Sequence, residues 1–158
     1  GVNNHMGSLF TSNANAINRF MNILAGRGLY FIDSRTTSRS VAFDGALKHG
    51  IPAGSRDVFL DHQKEPNYII GQFNHLMEVA KERGYAIGIG HFRPTTVQVL
   101  VSMLPQLEKN GIKLVHASEL VLRPAVAKPL EGPVAIPGES AGNTEPIPVK
   151  SGKKRPKS

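Results

Sequence analysis

Cysteine is absent from the 158 residues. Disulfides and thiolate metal sites are therefore excluded, and His, Asp and Glu remain as the only strong metal ligands. The absence suits an oxidising or a reducing compartment equally. No apolar run approaches the roughly 18 residues needed to span a bilayer, and no signal peptide is visible. A Gly-rich phosphate loop, a Gly-x-Ser-x-Gly elbow and a His-Glu-x-x-His helix are missing as well.

A hydrophobic content of 40% suits a globular core, and nearly all of the periodic pattern lies before Leu122. The net charge of +7 invites a nucleic-acid reading, but its distribution argues against one. The first 122 residues carry twelve Lys/Arg and nine Asp/Glu, whereas residues 123–158 carry seven and three, so the tail's +4 exceeds the body's +3. Within the body no basic stripe is interleaved with aromatics, as single-strand binding requires. No nucleic acid is expected as a partner. The tail also holds seven of the eleven prolines and ends in a Lys-rich run. Such a segment buries too little apolar surface to offset its ordering entropy, and residues 123–158 are expected to be disordered.

The body alternates helical and strand patterns. Phe10, Ala14, Ile17, Met21 and Leu24 mark one face of a helix that Gly26 and Gly28 stop. Residues 29–32 form an apolar run ending at Asp33. Residues 36–48 read as a helix closed by Gly50 and Pro52, and residues 57–60 as a strand ending at Asp61. Ile69, Phe73, Leu76 and Ala80 give the next helical stripe, closed by Gly84. Residues 85–90 read as a third strand. Pro94 sits well as the first residue of the following helix, and Pro105 predicts a kink or a shorter helix. Residues 112–115 read as a last strand, followed by a helical turn around residues 118–121. Such alternation implies an α/β fold with a mostly parallel sheet covered by helices. Sites in such folds lie beyond the carboxyl ends of the strands, where Asp33-Ser34-Arg35, Asp61-His62 and His91 are found.

Of the six histidines, His49, His62, His75 and His116 read as structural or surface residues. His5 lies in a polar stretch with Asn3 and Asn4, either of which could fix its tautomer. The same residue also reads as a loop histidine before a helix capped by Ser8 or Thr11. His91 follows a strand containing Gly88 and Gly90, a pattern that indicates close approach by another backbone or a ligand. Asp33 with Arg35, and Arg56 with Asp57, read either as local ion pairs or as positioned charges.

Four segments together resemble the divergent polysaccharide deacetylases. They are Gly1-Val2-Asn3-Asn4-His5-Met6-Gly7-Ser8, Phe31-Ile32-Asp33-Ser34-Arg35-Thr36-Thr37, Arg56-Asp57-Val58-Phe59-Leu60-Asp61 and Gly88-Ile89-Gly90-His91. The resemblance covers residues 1–122. It implies a partial, irregular β/α barrel of the NodB-like type, with parallel strands and flanking helices, and hydrolysis of acetyl groups on a polysaccharide or amino sugar. It further implies a divalent metal, zinc by expectation, that activates water and polarises the acetyl carbonyl. By the same resemblance His5 is the metal-site histidine, with His91 as the second candidate ligand. His91 is also the expected general acid, while Asp33, Arg35 and Asp57 orient or tune the pocket, and Asn3, Asn4 and Ser8 contact substrate. A periplasmic or cell-envelope location is implied too. Gly1 stands where related enzymes place a second histidine, Phe92 stands where the family usually has Pro, and the family's Asp-Asp pair does not occur. The sequence is therefore expected to begin inside the domain and to be inactive alone. The alternative reading is a non-catalytic carbohydrate or cell-envelope binding module on the same scaffold.

Overall fold

Parallel strand pairing dominates the computed structural model, which describes residues 1–122. The expected Pro/Lys-rich tail, 123–158, lies outside the described residues. The order is β1 (Val2–Asn3), α1 (Ser8–Thr11), α2 (Ala14–Leu24), β2 (Phe31–Asp33), α3 (Ala42–Lys48), β3 (Ala53–Ser55), β4 (Val58–Phe59), α4 (Pro66–Arg83), β5 (Gly88–Ile89) and α5 (Pro94–Lys109). A 3-10 turn, Ala117–Glu119, follows. One sheet runs β1-β2-β3 and the other β4-β5, all parallel, with helices flanking them. This is the expected α/β class in the form of a partial barrel.

The two sheets are joined by the chain itself. Ile32 pairs with Gly54 and Asp33 with Ser55, and the Arg56 N–H still donates to the Asp33 carbonyl at 2.9 Å. One residue later the Asp57 N–H donates to Ile87 at 2.8 Å, and Val58 pairs with Gly88. The segment thus leaves β2 for β5 within a single peptide, which bends the sheet. Because all five strands point the same way, their carboxyl ends open on one side of the molecule.

One core cluster packs Ile17, Met21 and Leu24 of α2 against Phe31, Ala42, Ala46, Ile51 and Ala53. Each large side chain fully buried there contributes about 1.5–3 kcal/mol of transfer free energy. Gly45 makes this contact possible. A Cβ at that position would stand 2.5 Å from the Ile17 Cγ2, so α3 approaches α2 more closely than alanine permits. Ile69, Phe73, Val99 and Leu107 are buried on α4 and α5.

Several boundaries differ from the sequence expectation, each for a local reason. The single helix expected through Phe10 and Leu24 breaks at Asn13, whose side chain accepts from the Ala16 N–H at 3.1 Å and starts α2 afresh. The helix expected over 36–48 begins only at Ala42. Asp33 accepts from the Ser40 hydroxyl at 2.7 Å and the Phe43 N–H at 3.3 Å, so a buried carboxylate caps α3 from the neighbouring strand. Pro105 does not shorten its helix; α5 runs on to Lys109. The carbonyl that Pro105 leaves unbonded belongs to Val101, a residue 66% exposed, where water can satisfy it. Residues 112–115 form no strand. The Ile112 N–H closes the end of α5 by donating to Leu107 at 2.9 Å, and Leu114 faces solvent. Among the described residues no helix is long and apolar enough to cross a membrane.

Candidate active site

The carboxyl ends of the strands surround a cleft of about 670 Å³. Asn3, Asn4, His5 and Met6 reach it from β1, Ser34, Arg35 and Thr36 from β2, and Arg56 from β3. Phe59 and His62 come from β4, and Ile89, Gly90 and His91 from β5; Ser8 completes the rim. Residues distant in sequence meet here because parallel strands deliver their C-terminal loops to one face.

His91 is the most firmly positioned imidazole. Its Nδ1 lies 2.9 Å from Oδ1 of Asp61, and its own N–H donates to Oδ2 of Asp61 at 2.8 Å. The Thr96 hydroxyl donates to that same Oδ2 at 2.8 Å, from the first turn of α5. Arg93 donates to the Asp61 carbonyl at 3.1 Å and approaches its carboxylate at 3.7 Å. Asp61 is fully buried. Burial pushes its carboxyl up, but the bonds from Thr96 and His91, with the charge on the His91 ring, outweigh burial and hold it below the usual carboxylate value. Ionised Asp61 can only accept, so Nδ1 of His91 carries a proton and donates. Nε2 makes no hydrogen bond among the described residues. The His91 ring packs edge-on against His5, with centroids 5.8 Å apart, and against Phe59 at 5.5 Å.

The end of β2 is held by a second set of charges. Arg56 donates from Nε to the Ser34 carbonyl at 2.7 Å and from Nη2 to the Arg35 carbonyl at 2.9 Å. Its guanidinium lies 5.4 Å from the Phe59 ring centroid. Burial, then the nearby charge of Arg35, push the Arg56 pKa down, against the opposing pull of Asp33 and Asp57. Arg35 adopts φ 44°, and its N–H donates to Oδ1 of Asp33 at 2.8 Å. Met6, also at the cleft, has φ 57°. Left-handed residues other than Gly and Asn carry strain, and such strain gathers at functional positions.

The sequence candidates fall into two groups. Asn3, Asn4, His5, Ser8, Arg35 and His91 share the cleft. Asn4 is partly occupied, accepting from the Ser34 N–H at 2.8 Å and donating to Met6, and Ser8 donates toward Thr36. Asp33 and Asp57 do not line the cleft. Asp33 is fully buried, and both its oxygens bind backbone and Ser40; it makes no ion pair with the Arg35 side chain among the described residues. Asp57 pairs with Arg83 and accepts from the Ile87 N–H, tying α4 to β5. Their roles here are architectural. Of the two glycines, Gly88 serves packing, since a Cβ there would stand 2.6 Å from Leu76, while Gly90 lines the cleft. Asp61, Thr96 and Arg93, which build the His91 environment, were not singled out by sequence. Only the placement of Asp61 at a strand end pointed toward them.

Among the described residues no three His, Cys, Asp or Glu side chains gather as a metal site requires. His5, His91 and His62, the last read from sequence as a surface residue, put three imidazoles on the cleft, but they do not converge on one point. Arg35 and Arg56 share the cleft, and among the described residues no carboxylate lines it. Catalytic zinc takes three protein ligands. The described donor set by itself does not fit a divalent ion.

Comparison with known proteins places these features in a family. A sequence model described as divergent polysaccharide deacetylase matches residues 1–121. The uncharacterised protein YibQ of Escherichia coli is 40% identical over 126 residues, covering 80% of this chain and 39% of YibQ. An uncharacterised Haemophilus influenzae protein is 38% identical over 120 residues, covering 76% of this chain and 42% of the relative. The crystal structure of an uncharacterised Agrobacterium tumefaciens protein superposes with a TM-score of 0.74 at 27% identity, covering 77% of this chain and 49% of that one. The chain thus spans less than half the length of these relatives.

Proposed function

The chain belongs to the divergent polysaccharide deacetylase family, and from that premise we propose that its cleft binds an acetylated sugar for hydrolytic removal of the acetyl group. The observation that carries this reading is the His91–Asp61 pair at the carboxyl ends of the strands. Hydrolysis of an acetamide or acetate ester adds water to the carbonyl and expels an amine or alkoxide, which must gain a proton. An imidazole fixed through Nδ1 presents Nε2, which takes the proton released as water adds to the carbonyl and passes it to the departing nitrogen or oxygen. The buried carboxylate stabilises the imidazolium formed between the two transfers. Asp61 and Thr96 are positioning residues that set the His91 ring and its tautomer. His5 stands beside it in the same cleft, edge-on to the His91 ring.

The proposal of a divalent ion, zinc by expectation, carries a requirement: His5 and His91 need further ligands, which the described residues do not gather around them. Equilibrium dialysis of the full-length protein with zinc tests it, and zinc uptake unchanged by His5→Ala would count against His5 as a ligand. The function itself is tested by acetate release from acetylated chito-oligosaccharides. Activity in the full-length protein that His91→Gln abolishes supports the reading. Sugar binding with no acetate release points instead to a binding module.

A further inference from the structure

We infer that the sugar bound in the cleft carries an oxyanion, carboxylate or phosphate, and that Arg35 recognises it. The inference rests on the carbohydrate reading above and adds the class of sugar.

The cleft holds one cationic side chain, Arg35, that has no counter-charge in contact among the described residues. Arg35 and Arg56 line it, together with three histidines, and among the described residues no Asp or Glu does. Asp33 and Asp61 are fully buried, with their oxygens taken by the bonds already described, and Asp57 is held by Arg83 and the Ile87 N–H. None of them faces the cleft as a counter-ion.

The two arginines differ in what their guanidiniums do. Arg56 is committed to the Ser34 and Arg35 carbonyls and stacks on Phe59. Arg35 is exposed, and its side chain makes no hydrogen bond or ion pair among the described residues. Its backbone, by contrast, is fixed on both sides. The N–H is held by Asp33 and the carbonyl by Arg56, in a left-handed conformation that L side chains rarely adopt. A surface arginine needs no such fixing. One that must present a planar fork to a ligand does, because holding the backbone lowers the ordering cost of binding.

The chemistry that answers this arrangement is an oxyanion. Guanidinium binds carboxylate and phosphate through paired, charge-assisted bonds. An anion here would also relieve the repulsion between Arg35 and Arg56, which lowers the Arg56 pKa after burial, the larger cause. The cleft volume of about 670 Å³ suits a small sugar with its substituent.

The test is calorimetric titration of the full chain with N-acetylglucosamine, N-acetylglucosamine 6-phosphate and N-acetylmuramic acid, at low and high NaCl. At least one anionic sugar is expected to bind about 10-fold tighter than the neutral one, with the preference shrinking as salt screens it. The phosphate and lactyl-carboxylate arms identify which anion is preferred. Arg35→Gln is expected to bring the affinities within about 2-fold of each other, and Arg35→Lys to keep part of the difference as a point charge. Equal affinities in the unmodified chain, no binding of any sugar, or a preference that survives Arg35→Gln would overturn the inference. Salt dependence in the unmodified chain keeps the test decisive even if a variant folds poorly. Acetate release is measured in parallel on the full-length protein. Release without anion preference defeats this inference alone, and anion preference without release defeats the deacetylase reading alone.

Discussion

Replacing Asp61 by Asn removes one charge at a fully buried position and changes almost no volume. In the native site Oδ2 accepts from the His91 N–H and the Thr96 hydroxyl, and Oδ1 accepts from Nδ1 of His91. The Asn carboxamide keeps two of these bonds if its oxygen faces the His91 N–H and Thr96. They become neutral bonds worth about 0.5–1.5 kcal/mol instead of charge-assisted ones worth about 1.5–3. The NH₂ then faces Nδ1, where two donors meet. The imidazole can resolve that conflict by moving its proton to Nε2, so the proton on the cleft side is held by the wrong tautomer. The expected loss of stability is about 2–3 kcal/mol, since three bonds weaken but do not add fully. Urea unfolding at pH 7 measures the loss. The ¹⁵N shifts of the His91 ring, which separate an Nδ1–H from an Nε2–H tautomer, test the proton move. An Asp61→Asn protein that is unchanged within about 0.5 kcal/mol, or that retains the Nδ1–H tautomer, would refute the reasoning.

Asp61 also shapes acid stability. Its folded pKa lies below the unfolded value of about 3.9, so its contribution is complete above pH 4 and is lost as pH falls through the lower folded value. Urea unfolding across pH 2–6 should show this loss in the unmodified chain and less of it in Asp61→Asn. Gly45→Ala is expected to destabilise by about 1–2 kcal/mol, because overpacking a stiff, buried Ile17 outweighs the roughly 1 kcal/mol helix-propensity gain; a raised urea midpoint would contradict this. Thr11 is buried with a hydroxyl that finds no partner among the described residues, so Thr11→Val should be neutral or stabilising by about 1 kcal/mol, and thermal unfolding checks the sign.

Periodicity located what repeats. The stripe containing Ile69 and Phe73 became α4, ended by Gly84 at φ 83°, and Pro94 opens α5. Elements without an apolar signature were invisible. Ala53-Gly54-Ser55 is a strand only because β2 pairs with it, and Val2–Asn3 is too short to show a pattern. Residues 112–115 had the pattern of a strand without a ladder to join. At the site, strand ends drew attention to His91, Arg35 and Asp33, but not to which neighbours they would find. Asp33 turned inward because the N-terminus of α3 lies against it. Asp61 gained its role from Thr96, 35 residues away. Such partnerships arise from the bend between β3 and β4, which no local sequence pattern encodes.

The account stands most directly on His91. Acetate release from acetylated chito-oligosaccharides by the full-length protein should fall about 10²–10⁴-fold on His91→Gln, with the circular dichroism spectrum unchanged. Release that persists undiminished in that variant, or none from the unmodified protein, would contradict it.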